Sequence, residues 1–479
     1  MLMYDKLIFE LSKQGRRGYS LPAAEVPAAE IPEELRRKSP LDMPEVTELD
    51  VVRHYTNLSR KNYGVDQGFY PLGSCTMKYN PKINEELASL SAFARLHPLQ
   101  PASTAQGALA VYFHLEEMLK EVTGMAAFSF SPFAGAHGEA CGLMIMKKYH
   151  QSRGDYKRTK IIVPDTAHGT NPASASVVGF DTLVVGSTPE GTVDVEKLKE
   201  LLNDEIAGIM LTNPNTLGIF EKDIMEIARL MRENGSLLYY DGANLNALLG
   251  VARPAEMGFD IIHLNLHKTF STPHGGGGPG SGPVGVRADL ADFLPNPRVV
   301  KRDDGYALHY SDASIGAIGG FYGNFLVVLK AYAYLLSLGK EHLDKVGKFS
   351  VLNANYIKES LKDDYLLPIN GLCKHEVVFD GLIKGGATTL DVAKRLLDYG
   401  YHPPTIYFPL LYHQSLMIEP TEAESKETID DFIAVMKKIA AEAVQNPELL
   451  KEAPHNTPVR RLDEVKAARQ PVIKYKDMP

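Results

Sequence analysis

The chain has 479 residues, of which 44% are hydrophobic and 23% charged, and its formal net charge at pH 7 is −8. This is ordinary globular composition, which excludes disordered and fibrous classes, and the negative charge disfavours nucleic acid as a general partner. No run approaches about 18 uninterrupted apolar residues and the N-terminal segment has no signal-peptide core, so we expect a cytoplasmic protein without membrane contact.

The first 50 residues predict an extended arm. Range 22–44 is rich in Pro, Ala and Glu and has no apolar period long enough to form a core. Such a segment stays mobile or lies on another surface, and Leu41 and Met43 offer apolar side chains for such a contact. Beyond the arm, apolar residues at helical spacing predict an amphipathic helix over 106–122.

From there to Val286, short apolar runs alternate with helical patterns. Continuous apolar runs predict buried strands at 161–163, 182–185, 206–211, 237–240 and 261–264. Single apolar faces between them predict helices within 195–202 and 224–231. This alternation predicts a mostly parallel sheet covered on both faces, and ligands of such sheets bind at the carboxyl ends of the strands.

The last third of the chain predicts a smaller α/β domain. It follows a long helix at 325–338 and comprises strands at 377–379 and 416–418 and helices at 390–399 and 425–444. A basic tail, 460–476, reads as a solvated or docked arm. We therefore divide the chain into an arm (1–50), a large domain (51–330) and a smaller C-terminal domain with the tail (331–479).

Three cysteines, Cys75, Cys141 and Cys373, lie far apart along the chain. They form no CxxC pair, and no His/Cys cluster has the spacing of a zinc site. The sequence therefore predicts neither a disulfide scaffold nor a metal site.

Lys268 stands just beyond the strand predicted at 261–264, and seven glycines lie between Gly275 and Gly285. A lysine that faces closely approaching backbone is a setting for covalent catalysis by an amine. A phosphate-binding P-loop needs its glycines before the lysine and a helix after it, and here the order is reversed, so a nucleotide triphosphate site is disfavoured. The same window also fits an exposed lysine beside a flexible loop.

Asp241 and His168 follow two other predicted strands, 237–240 and 161–163. A carboxylate at a buried strand end is costly unless it meets a cation or several donors, although an Asp there can also cap a helix. An imidazole can stack on a planar ring or transfer a proton, or it can serve as a hydrogen-bonded structural residue. Neither residue is decisive alone.

Small residues at 134–136 precede a helical run at 140–149. They leave backbone N–H groups open to an anion such as phosphate, and close packing of a helix start explains them equally well. Together, these features amount to a phosphate cradle, a planar stacker, an acid and a lysine at successive strand ends. Pyridoxal phosphate requires such a set.

Several strings of the sequence resemble the glycine decarboxylase family, the P-protein of the glycine cleavage system, and within it the second chain of the two-chain bacterial form. The resemblance runs from about residue 50 to the C-terminus. It rests on YPLGSCTMKYNPK at 70–82, HPLQ at 97–100 with QG at 106–107, AGA at 134–136, HGTNPAS at 168–174, LTNPNT at 211–216, DGAN at 241–244, LHKT at 266–269 and LMIEPT at 416–421.

The resemblance implies an α/β pyridoxal-phosphate enzyme of fold type I, similar to aspartate aminotransferase, with a large parallel-sheet domain that binds the cofactor and a smaller C-terminal α/β domain. It implies that Lys268 carries the cofactor covalently, that Asp241 faces the pyridine nitrogen and that His168 covers the ring face. The remaining cofactor contacts that it implies are Ala134, Gly135, Ala136, Ala243 and His267.

The implied activity is decarboxylation of glycine with transfer of the aminomethyl group to the lipoyl group of H-protein and release of CO2, an oxidoreductase reaction. Lys268, His168 and Asp241 would be its catalytic residues, and Ser74 and Thr76 are candidates for contact with the substrate. A separate subunit 1 is expected as partner in an α2β2 heterotetramer, with the N-terminal arm as part of the contact.

Two other classes stay open. An aminotransferase or cysteine desulfurase of the same fold type has the same acid and lysine, but it should also show an arginine for the substrate carboxylate or a reactive cysteine on a mobile loop, and neither is obvious. A catalytically silent scaffold subunit is the other class. Joint retention of Lys268, Asp241 and His168 disfavours it, because a silent copy does not need a buried amine facing a carboxylate.

Overall fold

A computed structural model of the chain describes residues 6–39, 41–276 and 278–475. The expectations for 1–5, Pro40, Gly277 and the end of the basic tail at Lys476 lie outside these residues. The chain divides into two compact units, one formed by Met1–Gln67 with Arg461–Pro479 and the other by Gly68–Arg460. Among the described residues, no helix combines the length and apolar character that crossing a bilayer requires.

The first unit contains a helix, α1 (Glu48–Ser59), whose start is fixed by its own sequence. The Thr47 side chain accepts from the Asp50 N–H, while the Asp50 carboxylate accepts from the Thr47 N–H, a reciprocal cap. Before α1, the described part of 22–44 holds only one short 3-10 turn, at Glu33–Leu35, and is largely exposed. The assignment of this segment as an extended arm stays a prediction.

The second unit is built on a seven-stranded sheet. Its strands are β1 (Ala127–Ser129), β2 (Lys160–Pro164), β3 (Asp181–Val185), β4 (Ile206–Thr212), β5 (Leu237–Gly242), β6 (Ile261–Leu264) and β7 (Val284–Val286). They are ordered β1-β7-β6-β5-β4-β2-β3, and only β7 runs antiparallel to its neighbours. The α/β class with a mostly parallel sheet is therefore confirmed.

Helices cover both faces of this sheet. The helices up to this point are α2 (Lys82–Ala88), α3 (Ser91–Ala94), α4 (Gln106–Thr123), α5 (Gly135–Ser152), α6 (Thr170–Val178), α7 (Val195–Leu201) and α8 (Ile224–Glu233), of which α4 to α8 contact strands of the sheet. Alternate strand residues belong to different cores: Ile209 and Tyr240 lie in one cluster, and Met210 and Tyr239 in the other. Because successive side chains of a strand point to opposite faces, a strand buried on both faces reads as a continuous apolar run.

The prediction that 182–185 forms a buried strand was wrong in one respect. The strand exists as β3, but it lies at one edge of the sheet and pairs only with β2. Val184 is 63% exposed, and only Val185 of this strand is buried. An apolar run alone does not distinguish an edge strand from a central one.

The rest of the second unit contains a hairpin, three long helices and a small sheet with its own core. The elements are β8 (Arg298–Arg302), β9 (Gly305–His309), α9 (Phe325–Leu338), α10 (Leu343–Leu361), β10 (Val377–Asp380), α11 (Thr389–Asp398), β11 (Thr405–Ile406), β12 (Ser415–Ile418), α12 (Lys426–Gln445) and α13 (Pro447–Lys451). The small sheet is antiparallel with the order β10-β12-β11, and Phe379, Ile418 and Phe432 lie in its core. The domain boundary at 330 stays a prediction.

Candidate active site

A cavity of about 300 Å³ lies at the carboxyl ends of the parallel strands. His168 enters it after β2, Asp241 from β5, and Lys268 after β6. Ser74, Ala134, Gly135, Ala136, Ala243 and His267 also line it. Thr76 is not among the lining residues; it is buried, and its hydroxyl donates to Glu419. The structure thus brings the sequence-predicted residues together, with Thr76 behind the cavity.

Lys268 is held in a tight turn after β6. Its backbone N–H donates to the Asn265 carbonyl at 3.0 Å, and its carbonyl accepts from the Ser271 N–H at 3.2 Å. The Nζ atom donates to the Ser74 carbonyl oxygen at 2.7 Å. The alternative of an exposed lysine beside a flexible loop is therefore wrong, because the side chain is partly buried and points to a defined acceptor.

Asp241 is buried with three donors around its carboxylate. The side-chain amide of Asn171 donates to Oδ2 and the Ala243 N–H to Oδ1, each at 2.9 Å, and Nε2 of His263 lies 3.3 Å from Oδ1. Burial raises the pKa of Asp241, but His263 and the two donors more than offset this, so its pKa lies below the usual value. A carboxylate placed in this way stays ionised.

Further side chains, which sequence reasoning did not single out, fix these donors, and Glu139 itself lines the cavity. Glu139 on α5 accepts from Thr170 Oγ1 at 2.8 Å and from Ser174 Oγ at 3.0 Å. It also accepts from the Asn171 amide at 3.2 Å, so this one amide joins Glu139 to Asp241. Tyr239 lies 2.8 Å from Nδ1 of His263. The string at 168–174 contained three of these residues, but no sequence signal linked them to Glu139.

His168 is oriented by the start of α6. Its Nδ1 atom accepts from the Thr170 N–H at 3.1 Å, so the proton of the neutral ring lies on Nε2. Burial lowers the pKa of His168, and the nearby Lys268 lowers it further. A neutral imidazole with a donor at Nε2 therefore lines the cavity.

The start of α5 forms an open backbone cradle. Ala134 is extended and provides no side-chain cap, so the first N–H groups of the helix are left for another acceptor. A glycine segment packs directly behind it, since a Cβ atom on Gly282 would overlap the Ala134 carbonyl and one on Gly280 would lie 2.9 Å from the Phe133 carbonyl oxygen. The cradle is therefore fixed by backbone contact.

Buried polar atoms without a hydrogen-bond partner test whether the cavity suits a polar cofactor. Four residues that line it each carry one such atom: Thr212 Oγ1, Asn244 Oδ1, Asn265 Oδ1 and His267 Nδ1. Buried polar groups are normally bonded, so several orphans around one cavity indicate a polar ligand that satisfies them. With the cradle, the buried carboxylate and the lysine, the cavity fits pyridoxal phosphate.

The cavity also bears on the alternative fold type I enzymes. Cys75 lines it, but burial raises the pKa of this thiol above its usual value although Lys268 lowers it, so the group stays neutral. Among the described residues that line the cavity, none is an arginine. Neither the reactive cysteine of a desulfurase nor the carboxylate-binding arginine of an aminotransferase is found there.

Two family models match the chain. The model described as "Glycine cleavage system P-protein" matches residues 23–304, and that described as "Glycine dehydrogenase, C-terminal domain" matches residues 346–458. A curated relative from Caldanaerobacter subterraneus, named probable glycine dehydrogenase (decarboxylating) subunit 2, is 62% identical and covers 98% of this chain and 99% of its own. A protein of the same name from Thermotoga petrophila is 55% identical, with coverage of 98% and 99%.

Solved structures support the same fold at lower identity. A glycine decarboxylase (P-protein) in inhibitor-bound form aligns with a TM-score of 0.72 and 21% identity, covering 85% of this chain and 93% of its own. A sphingosine-1-phosphate lyase from Burkholderia pseudomallei aligns with a TM-score of 0.63 and 14% identity, covering 89% and 94%. These likenesses, all under 25% identity, concern the fold, which is fold type I.

Proposed function

The chain belongs to the P-protein family of the glycine cleavage system, and we propose that it decarboxylates glycine with pyridoxal phosphate and passes the aminomethyl group to the lipoyl group of H-protein, releasing CO2. The observation that carries this proposal is the convergence of Lys268, Asp241 and the α5 cradle on one cavity. A lysine, an acid and a helix start around a ring-sized space are the elements that this cofactor needs.

Each cofactor contact has its own residue. Lys268 would carry the cofactor covalently, Asp241 would face the pyridine nitrogen, and His168 would lie over the ring. The backbone N–H groups of 134–136 would hold the phosphate, with Ala243 and His267 as further contacts. When bound, pyridoxal phosphate supplies an electron sink for bond cleavage at the α carbon of the substrate.

The side chains of the protein hold protons where that chemistry needs them. The ionised Asp241 would favour a proton on the pyridine nitrogen, because a buried carboxylate stabilises a cationic group opposite it. The Nε2–H of His168 is available to donate, since Nδ1 is already bonded to Thr170. Lys268, when free, donates to the Ser74 carbonyl. Substrate contact by Ser74 and Thr76 stays a prediction, and only Ser74 lines the cavity.

The proposed assembly is an α2β2 heterotetramer with a subunit 1, located in the cytoplasm. The name of the relatives, subunit 2, supports a partner subunit. The extended segment 22–44 exposes Val26, Ile31, Leu41 and Met43, each more than half accessible. We assign this segment to the contact with the partner, because these apolar side chains have no core of their own to enter.

Release of labelled CO2 from carboxyl-labelled glycine tests the proposal. We expect release by the complex with the partner subunit and lipoylated H-protein, and loss of release when Lys268→Ala replaces the wild-type chain in that complex. Full activity of the Lys268→Ala complex would favour the scaffold alternative. Activity by this chain alone would contradict the proposed assembly.

A further inference from the structure

Two glutamates outside the cavity lie side by side at the end of the small sheet. Glu376 immediately precedes β10 and Glu419 immediately follows β12, and the antiparallel pairing of Val377 with Ile418 makes the two glutamates neighbours. Both are fully buried. One carboxylate oxygen from each and one ring nitrogen of His375 all lie within 4.8 Å of one another.

These glutamates hold a strained turn. The Ser74 N–H donates to Glu376 Oε2 at 2.8 Å, and the Thr76 N–H and hydroxyl donate to Glu419 Oε2 and Oε1 at 2.9 and 2.5 Å. Ser74 and Thr76 have φ values of 64° and 45°, a left-handed conformation that is unfavourable for a residue with a side chain. Such strain persists only where the surroundings impose it, and here the two carboxyl groups do so.

The turn also contacts the Lys268 side chain. The carbonyl of Ser74, whose own N–H is held by Glu376, accepts from Lys268 Nζ at 2.7 Å. The position of this acceptor is therefore set by groups on the small sheet, more than 300 residues away in sequence. No other described hydrogen bond of the Lys268 side chain competes with it.

The two carboxyl groups cannot both be ionised. Burial raises the pKa of Glu376 well above its usual value and the neighbouring Glu419 raises it further, while two donors from Thr76 partly offset the burial of Glu419. Oε1 of Glu376 has no hydrogen-bond partner, although Nε2 of the neutral His375 ring lies 3.4 Å from it. The proton of the pair therefore belongs to Glu376, and the negative charge to Glu419.

We propose that Glu376 and Glu419 are positioning residues for Lys268. The pair shares one proton and one negative charge and holds the turn at 74–76 in its left-handed form. The turn fixes the Ser74 carbonyl that accepts from the free Lys268 amine, and the negative charge balances the ammonium form of that amine. This inference rests on the proposed function, because only an enzyme that attaches and releases its cofactor at Lys268 needs a resting place for the amine.

Other titratable groups also face Lys268 or the pair. Burial is the main cause that lowers the pKa of each facing imidazole, so these rings are neutral: His168, His267, His274 and His375. The Cys75 thiol is neutral because burial raises its pKa. Asp241 is ionised because its own hydrogen-bond donors and His263 stabilise the carboxylate. Glu422, which faces Glu419, is paired with Lys78 at 2.7 Å.

The test compares Glu376→Gln with Glu419→Gln in the full chain with its partner subunit. Cofactor is removed, pyridoxal phosphate is added back, and the rate of appearance of the lysine-bound absorbance is measured against pH. Glutamine at either position keeps the oxygen that accepts the turn N–H, but only Glu419→Gln removes the charge. We expect the Glu376→Gln profile to match wild type and the Glu419→Gln profile to move to lower pH, because only the second variant removes a negative charge near the Lys268 amine.

Equal shifts of the pH profile in both variants, or no shift in Glu419→Gln, would overturn the inference. The proposed function would still stand if the wild-type protein shows the lysine-bound absorbance band. No band in wild type would overturn both. A stoichiometric metal ion lost in His375→Ala would also overturn it, since the cluster would then be a metal site. If Glu419→Gln does not fold, infrared spectroscopy of Glu376→Gln provides a second test. The carbonyl-stretch band of the protonated Glu376 carboxylic acid should disappear in this variant. Persistence of that band would refute the shared proton.

Discussion

Replacement of Asp241 by asparagine should affect stability and turnover by separable amounts. The carboxylate accepts from Asn171 and Ala243 and faces His263. Asparagine has only one acceptor oxygen, so its NH2 group must meet a donor in either orientation. Reversal of Asn171 would relieve that clash only by breaking its bond to Glu139. One buried polar group is thus left unsatisfied, and we expect the free energy of unfolding to fall by about 1–3 kcal/mol.

The same substitution removes the charge opposite the pyridine nitrogen. Loss of one preorganised electrostatic contact typically lowers turnover by about 10²–10³-fold, and we expect that loss in labelled CO2 release by the complex. The pKa of Asp241 is lowered in the folded protein, so its contribution to stability is present above the unfolded value of about 3.9 and is lost as pH falls through the folded value. The stability difference between variant and wild type should therefore shrink below about pH 4.

Asp260→Asn is the matched control. Asp260 is also buried, accepts from the Leu238 N–H at 2.7 Å and contacts Arg287, but it precedes β6 at the opposite end from the cavity. Denaturant unfolding should show a loss of the same order, about 1–3 kcal/mol, while CO2 release stays within about threefold of wild type. Two results would refute the role given to Asp241. One is turnover of Asp241→Asn above a tenth of wild type, and the other is a loss of turnover in Asp260→Asn equal to that in Asp241→Asn.

Three further predictions concern packing and charge. In a denaturant titration, Lys78→Met should lower the free energy of unfolding by about 3–5 kcal/mol, because it leaves the buried partners of a fully buried ammonium unpaired. Lys330→Met removes one partner of a more exposed ion pair and should lower it by less than about 1 kcal/mol. Gly282→Ala should weaken pyridoxal phosphate binding at least tenfold in an absorbance titration by displacing the α5 cradle, while Gly107→Ala, which has open space, should leave it unchanged. Burial lowers the pKa values of three histidines, His150, His267 and His375, to about 4, 3 and 3. Because these neutral side chains take up protons when the chain unfolds, the free energy of unfolding should fall as pH drops from about 6.5 towards 4. A flat pH profile in calorimetry would contradict this.

Sequence reasoning located elements whose burial leaves a simple pattern. The run at 206–211 became β4 (Ile206–Thr212) because both of its faces are covered, and 325–338 matched α9 to the residue. β7 was missed, since three residues after a glycine-rich loop carry little pattern. The edge position of β3 was missed because local sequence does not state how many neighbours a strand has.

The candidate site divides in the same way. Asp241, His168 and Lys268 could be found because the strand-end rule places polar residues after apolar runs. Glu139 lies within a helix, and His263 lies inside an apolar strand, so neither stood out. Glu376 and Glu419 are brought together by strand pairing in the small sheet, and their hydrogen bonds to the turn at 74–76 span more than 300 residues. Only the folded chain brings such groups together.

Attachment of the cofactor to Lys268 is measured most directly by borohydride reduction of the purified complex followed by peptide mapping with mass spectrometry. Lys268 is the one lysine among the described residues that line the cavity, so the reduced cofactor should be found on the peptide that contains it. Recovery of the label on Lys78 or another lysine, or of an unmodified Lys268 peptide from a complex that releases CO2 from glycine, would contradict the assignment.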